Sequence, residues 1–434
     1  MGTIKLLSIM GVHPFSLQAS HISSASMESL SVQHLLPEYT PSKPAPDYSS
    51  KPLPGEKCIQ RSPRLIQRGD NASFTYREKE MTLKLMDCRE EDRHPSYGLG
   101  STIRGEVSLD HRRRVVAVTA KLEGRVYLPG QPSKGVTIIS KERTLWESST
   151  LNGQTCPSIM PLSMSFPTSY RERGQDRTFR LPPSFELSQP QRVAIVYTLQ
   201  IIVTKSRNVP MIGKKLSREI YMSIHIKYRP RVRPSRPVPD SFSEVKQSPE
   251  DWMEDVWITK PTVGTGNEAF LARCHLFIPS VRVFTASEKI PFHLRLETSP
   301  LFLHNLAKIF LPRQNPSEIK EILNISIVRQ TTVNIQGTSF SHDQILGRGR
   351  MVPQSSSTSK VAISESEEPV TWSWNGELRC EVPVLNTGFN TGQISTTDYI
   401  VLSLLTPPGQ LRSDHSLQRV IPIRLATEPW VDRS

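Results

Sequence analysis

The sequence predicts an all-β protein of two tandem immunoglobulin-like β-sandwich domains behind a disordered N-terminal tail. Short runs of alternating apolar and polar residues recur along the chain, separated by turns that contain Gly or Pro. Sustained 3.6-residue periodicity is missing, which argues against a helical core. The 434 residues are enough for two domains of ordinary size.

Composition sets the expected domain boundaries. Residues 1–62 are rich in Ser and Pro and lack periodicity, which is typical of a disordered tail. The first sandwich is predicted over 63–230, a basic-then-acidic linker over 231–265, and the second sandwich over 266–430. Within the linker region, the alternating prolines of Tyr228–Pro239 disfavour a central strand and favour an extended polyproline conformation.

Alternation also places the strands of the first domain. The longest alternating run extends from Val193 to Val203, and Val196 and Ile202 lie on its opposite face. This strand is therefore expected to be central and buried on both sides. Earlier strands of the same domain are predicted at 81–85, 103–109, 116–128, 136–139 and 162–166.

The second domain shows the same style of pattern. Gln344–Pro369 is rich in Ser, Gly and charge and is expected to be a long loop, and Leu301–Leu311 is the one place where a short helix is expected. Trp372 and Trp374 would share one strand face, either as packing residues or as a peptide-binding site. Strands of this domain are predicted at 270–278, 290–296, 325–328, 378–384, 399–405 and 420–425.

The net charge of +13 is unevenly distributed. A basic stretch, Lys205–Arg236, is followed by an acidic one, Asp240–Asp255, which indicates a charged hinge region. A nucleic-acid binder is not expected, because aromatic residues are not interleaved with the basic ones. The candidate contacts for anionic lipid or for an acidic cargo tail, with a solvated face as the alternative, are Lys214, Lys215, Arg218, Arg229, Arg231, Arg233 and Arg236.

Cysteine spacing and catalytic motifs argue against a disulfide framework and against catalysis. The five cysteines form no close pair and no CxxC, so a reducing, cytosolic setting is expected, with Cys274 and Cys380 buried in strands. The chain contains no GxSxG, HExxH, P-loop or dinucleotide fingerprint, and its histidines lack metal-ligand spacing. We therefore expect no enzyme, metal, cofactor or small-molecule substrate.

An ordered set of motifs extends over about residues 65–430. The motifs are YGLGSTIRGEVSL with VVAVTAKLEGRVYL, then FRLPPSFEL with RVAIVYTLQIIV, and finally VPVLNTGFNTGQISTTDYIVLSL with VIPIRLATEPW. In this order they resemble the arrestin family, in the style of fungal α-arrestin-like proteins. The resemblance implies structural roles in the first domain for Tyr97, Gly100, Gly105, Gly124, Pro182, Phe185 and Tyr197.

The resemblance also implies a way to recruit a ligase. α-Arrestins commonly bind the WW domains of HECT-type ubiquitin ligases through PPxY motifs, and this chain contains no PPxY. Two partial matches in the N-terminal tail keep a Pro two residues before a Tyr within Pro-rich sequence. The WW-docking candidates, with an ordinary Pro-rich tail as the alternative, are Leu36, Pro37, Tyr39, Pro46 and Tyr48.

The predicted function is that of a non-enzymatic adaptor or scaffold. It would bind cytosolic tails of membrane transporters or receptors and link them to a ubiquitin ligase for endocytic trafficking. The expected location is cytoplasmic, peripheral at the plasma membrane or endosomes, with an anionic membrane surface as a further partner. The alternatives are a retromer-like structural trafficking subunit and a hydrolase built on a β-sandwich.

Overall fold

Strands dominate the computed structural model of the chain. The structure describes residues 55–58, 73–86, 89–91, 94–130, 135–148, 155–172, 177–188, 192–208, 215–259, 272–298, 323–354, 370–404 and 417–431. Apart from the short 3-10 helices η1 (Phe242–Lys246) and η2 (Pro249–Asp251), every helix or strand in these ranges is a β-strand. The prediction of an all-β sandwich fold is therefore confirmed.

The first fifteen strands form two larger sheets and two small ribbons. They are β1 (Glu56–Cys58), β2 (Phe74–Glu78), β3 (Met81–Met86), β4 (Arg89–Glu91), β5 (His94–Tyr97), β6 (Thr102–Leu109), β7 (Val115–Tyr127), β8 (Val136–Glu147), β9 (Ile159–Ser165), β10 (Ser169–Arg171), β11 (Thr178–Arg180), β12 (Phe185–Leu187), β13 (Val193–Asn208), β14 (Lys215–Tyr228) and β15 (Val232–Pro234). One sheet has the order β4-β5-β14-β13-β7-β8 with β12 on β13, and the other has the order β2-β3-β6-β9. Both contribute to one cluster of buried apolar side chains, here called the first core.

The remaining strands form one curled sheet around a second cluster, the second core. They are β16 (Trp252–Thr259), β17 (Ala272–Pro279), β18 (Val283–Thr285), β19 (Ile290–Thr298), β20 (Leu323–Ile335), β21 (Thr338–Pro353), β22 (Val370–Leu378), β23 (Phe389–Asn390), β24 (Ile394–Leu404) and β25 (Leu417–Ala426). The order is β16-β17-β19-β22-β21-β20-β24-β25-β18, with β23 on β24. Val333, Phe389 and Ile394 of this sheet pack into the first core, so the curled sheet contributes to both cores.

Strand β13 confirms one part of its prediction and corrects another. It lies between β7 and β14, and Tyr197, Leu199 and Ile201 on its inner face are fully buried. Val196 and Ile202 on the outer face are only half-buried. The strand is therefore central, but it is covered completely on one face alone.

Part of the predicted linker forms regular structure. Val232–Pro234 pairs with Glu56–Cys58, and β16 lies at one end of the described strand order of the curled sheet. Proline is compatible with β15 because this strand belongs to a two-stranded ribbon, where a missing N–H is tolerated. The division into two tandem domains with these boundaries stays a prediction.

Three further expectations differ from the structure or fall outside it. Strand β22 ends at Leu378, so Cys380 lies in a loop and is half-buried, whereas Cys274 is a buried strand residue as predicted. Strand β21 continues to Pro353, inside the predicted loop, and residues 355–369 lie outside the described ranges. Leu301–Leu311 also lies outside them.

Candidate docking surface

The ribbon of β1 and β15 brings basic residues from two distant segments of the chain together. The two strands are antiparallel, with Lys57 opposite Arg233 and Cys58 opposite Val232. Because side chains alternate along a strand, the buried Glu56 and Val232 define one face and Lys57 and Arg233 the other. We call Lys57, Arg231 and Arg233 the basic ribbon.

Among the described residues, some of the basic residues at and near the ribbon have an acidic partner, and others do not. Arg231 Nη1 lies 3.5 Å from Glu428 Oε1, and Arg236 Nη1 lies 3.0 Å from Asp251 Oδ1. Within the described ranges, neither Lys57 nor Arg233 forms an ion pair. Like charges directly opposite each other destabilise a strand pair, so an anion bound over Lys57 and Arg233 would stabilise the ribbon.

A buried ion cluster fixes the ribbon from its inner face. The Glu56 carboxylate is fully buried; its Oε1 accepts a hydrogen bond from Arg180 Nη1 at 3.3 Å, and its Oε2 lies 3.0 Å from Arg424 Nη1. Arg180 ends β11 and Arg424 lies in β25, so one carboxylate joins elements next to both cores. Removing one partner from such a buried cluster is strongly destabilising. The cluster therefore holds β1 against β11 and β25.

The two arginines also line a small surface cleft. Its apolar walls include Leu181, Pro183 and Phe389. Among the described residues of the lining, the ionisable ones are arginines, whose guanidinium groups donate hydrogen bonds without accepting any.

The structure divides the predicted basic residues into separate groups. Arg231, Arg233 and Arg236 lie together at the ribbon, whereas Arg218 lies opposite Lys205 near the other end of β14. At about 3.3 Å per residue, the length of β14 places Arg218 roughly 35 Å from the ribbon.

The other predicted basic residues contribute less to the ribbon. Arg229 follows β14, and its backbone N–H donates to the Tyr97 carbonyl at 2.8 Å. Lys215 begins β14, and Lys214 lies outside the described ranges. Sequence reasoning missed Lys57 and Glu56, because only the pairing of two distant segments brings them to this surface.

The residues singled out by the arrestin resemblance lie mainly in and around the first core. Tyr197 Oη donates a hydrogen bond to the Pro182 carbonyl at 2.6 Å, and the Phe185 ring packs edge-on against Phe389 at 5.2 Å. Gly100 has a φ of 67°, which a side chain would disfavour. A Cβ at Gly105 would lie 2.3 Å from the Lys84 carbonyl oxygen.

The WW-docking candidates cannot be placed in this surface. Leu36, Pro37, Tyr39, Pro46 and Tyr48 all lie outside the described residues. None of the helices in the described part of the chain has the length and apolar character that crossing a bilayer requires. The described His, Cys, Asp and Glu side chains form no group of three or more that could hold a metal ion.

Comparison with known proteins does not assign the chain to a family. No protein-family model matches it, and no curated protein matches it at a significant level. The arrestin resemblance therefore stays a prediction that depends on the motifs themselves.

Proposed function

We propose that this protein is a non-enzymatic adaptor that binds acidic segments in the cytosolic tails of membrane transporters or receptors. The observation that supports this most directly is the placement of Lys57 opposite Arg233 without an ion-pair partner in the described residues. An acidic peptide would bring carboxylates to both cations at once. Cations at such a surface also favour contact with anionic lipid, by about 1 kcal/mol for each Lys or Arg.

The architecture favours a scaffold of the arrestin type. Two clusters of buried apolar side chains support the interpretation as two tandem sandwich domains, although strands of the curled sheet contribute to both clusters. The proposed adaptor would act at the cytoplasmic side of the plasma membrane or of endosomes. Its N-terminal tail would contribute the link to WW domains of a HECT-type ubiquitin ligase, through Tyr39 and Tyr48, for endocytic sorting.

Peptide binding tests the cargo half of this proposal. A fluorescent peptide of alternating Glu and Ser residues is titrated with the full chain, and anisotropy is followed at low and high salt. We expect Arg233→Glu and Lys57→Glu each to weaken binding about tenfold, because each reverses a charge next to the ligand. Arg218→Glu is the matched control and should leave binding nearly unchanged.

Two results would contradict the cargo proposal. One is an unchanged affinity for the acidic peptide in the Arg233→Glu and Lys57→Glu variants. The other is an equal loss in Arg218→Glu, which would indicate attraction by the net charge rather than a site. Thermal unfolding of each variant checks that the ribbon remains folded.

Calorimetry tests the ligase half separately. Isolated WW domains of a HECT-type ligase are titrated with the unmutated chain, Tyr39→Ala, Tyr48→Ala and the double variant. Weaker binding in a single variant and none in the double variant would support the tail motifs. If the unmutated chain does not bind, the ligase link is removed, whereas the cargo proposal is decided by the peptide experiment.

A further inference from the structure

Strand β16 ends the curled sheet, and in the described part of the chain it pairs with β17 alone. Its outer face presents Glu254, Val256 and Ile258, and the two apolar residues are 46% and 49% exposed. Long apolar edge strands are sites at which a further strand adds.

The opposite face holds β16 firmly in place. Arg419 of β25 binds the Asp255 carboxylate through two hydrogen bonds of 2.6 and 2.7 Å. Trp257 packs against the second core. Because β16 and β25 lie near opposite ends of the strand order, this ion pair also closes the curl of the sheet. The edge is therefore fixed in an extended form that another strand can pair with.

At edge strand β9, by contrast, cations occupy the backbone carbonyls. Lys141 of β8 donates to the Ser165 carbonyl of edge strand β9 at 3.2 Å, and Arg143 donates to the Ser163 carbonyl. Cationic side chains that occupy edge carbonyls prevent pairing with a second chain. The described outer face of β16 carries two apolar side chains and a carboxylate instead.

The sequence of β16 is complementary to itself. An antiparallel pair centred on Val256 places Val256 against Val256 of the second copy, and Ile258 against Glu254 of the second copy. Arg273 neighbours Ile258 on β17, so its side chain, 56% exposed and 4.0 Å from Glu297, can reach over Ile258 to that glutamate. The glutamate is 43% exposed and lies 2.6 Å from His275 Nδ1 of its own copy, so the new ion pair would add to this contact. A pair centred on Asp255 would instead bring two carboxylates together, which is unfavourable.

We propose that the protein forms a two-fold symmetric dimer through antiparallel pairing of β16 with β16 of a second copy, centred on Val256. The interface is isologous, because each copy presents the same strand, the same apolar pair and the same Arg273–Glu254 complementarity. The proposal goes beyond the adaptor function and is independent of it. A dimer would present two basic ribbons and raise the avidity for clustered membrane-protein tails.

Sedimentation velocity of the full chain over a wide concentration range tests the dimer. We expect a monomer–dimer equilibrium, and we expect Val256→Lys to weaken it about tenfold or more, because two lysines would meet at the centre of the interface. Val116→Lys is the control: Val116 is 37% exposed and lies on β7 between β8 and β13. A chain that stays monomeric throughout, or a dimer that Val256→Lys leaves intact, would overturn the proposal.

Cysteine cross-linking gives a second readout that does not depend on a lysine in the interface. Directly paired residues bring their Cα atoms to about 4.5–5.5 Å, within the range of a disulfide. Mild oxidation with copper phenanthroline should link Val256→Cys into a covalent dimer above the wild-type background, and leave Ile258→Cys at that background. Equal yields in both variants would overturn the proposed register. A chain that stays monomeric would overturn the dimer, and β16 could then pair with an extended peptide of another protein.

Discussion

The first and second cores are held together by different chemistry. In the first core, Phe166 packs against three tyrosine rings, with centroid distances of 5.0 Å to Tyr228 and 5.9 Å to both Tyr97 and Tyr197. Tyr197 is fully buried, and burial raises the pKa of its phenol well above the usual value. This core therefore depends on the fit of neutral aromatic rings around one another.

The second core relies on ion pairs next to its apolar residues. Arg329 of β20 binds the fully buried Asp398 carboxylate of β24 through hydrogen bonds of 2.7 and 3.0 Å. The same carboxylate accepts the Leu425 N–H at 3.2 Å, which attaches β25. The first core should therefore be sensitive to added volume, and the second to removed charge.

The largest expected effect is the loss of the Asp398 carboxylate. Asp398→Ala leaves the Arg329 guanidinium, only 12% exposed, without this partner, and it removes the acceptor of the Leu425 N–H. We expect the free energy of unfolding to fall by about 3–5 kcal/mol, measured by urea denaturation. The control is Asp110→Ala, because Asp110 pairs with Arg77 at an exposed position, and it should cost less than about 1 kcal/mol. Similar losses in both variants would contradict the importance of burial.

Added volume in the first core should have the next largest effect. A Cβ at Gly124 would lie 2.7 Å from the Tyr197 ring and 2.8 Å from Ile139 Cγ1. We expect Gly124→Ala to destabilise the protein by about 1–3 kcal/mol, because a packed core cannot absorb the methyl group without moving a ring. Gly98→Ala is the matched control, since its Cβ would meet nothing closer than 3.7 Å. A neutral Gly124→Ala would show that the aromatic core is loosely packed.

The Tyr197 hydroxyl makes a smaller contribution. Tyr197→Phe keeps the ring but removes the donor to the Pro182 carbonyl, which lies 2.6 Å away in a buried site. We expect a loss of about 1 kcal/mol in the free energy of unfolding, from thermal or urea denaturation. Phe166→Leu, which removes the central ring of the cluster, should cost more than the hydroxyl. The reverse order would mean that the hydrogen bond, rather than ring packing, dominates this region.

The sequence predicted the first core better than the second core or the docking surface. Period-2 alternation from Val193 to Val203 identified the central strand, because local burial leaves a local pattern. The contact between Gly124 and Tyr197 joins two motif positions, although only pairing of β7 with β13 shows why the glycine is needed.

The long-range placements of charged residues could not be predicted, because they join segments far apart in the chain. Asp255 pairs with Arg419 through the curl of a ten-stranded sheet, and the two cations Lys57 and Arg233 are brought opposite each other by strands of only three residues. Strands this short leave too little alternation to detect. The acidic part of the predicted linker was assigned from charge alone, yet its last residues form the edge strand β16.

The smallest predicted effect concerns Glu123, on the face of β7 that points away from the first core. The hydrogen bond from Arg125, 2.8 Å long, lowers the pKa of Glu123, and Lys121 adds to the effect. A folded-state pKa below the unfolded value of about 4.3 adds stability at neutral pH, and this stability is lost as pH falls through the folded value.

Urea midpoints measured from neutral pH into this acid range test the assignment. Glu123→Gln should lower stability at neutral pH by up to about 1 kcal/mol, and the difference from the wild type should shrink as the pH falls below about 4.3. Glu142→Gln is the control, because Glu142 contacts the same Lys121 from an exposed position. A difference that stays constant with pH would show that Glu123 acts through packing. In that case the outer face of β7, like the first core beneath it, would be held by packing rather than by charge.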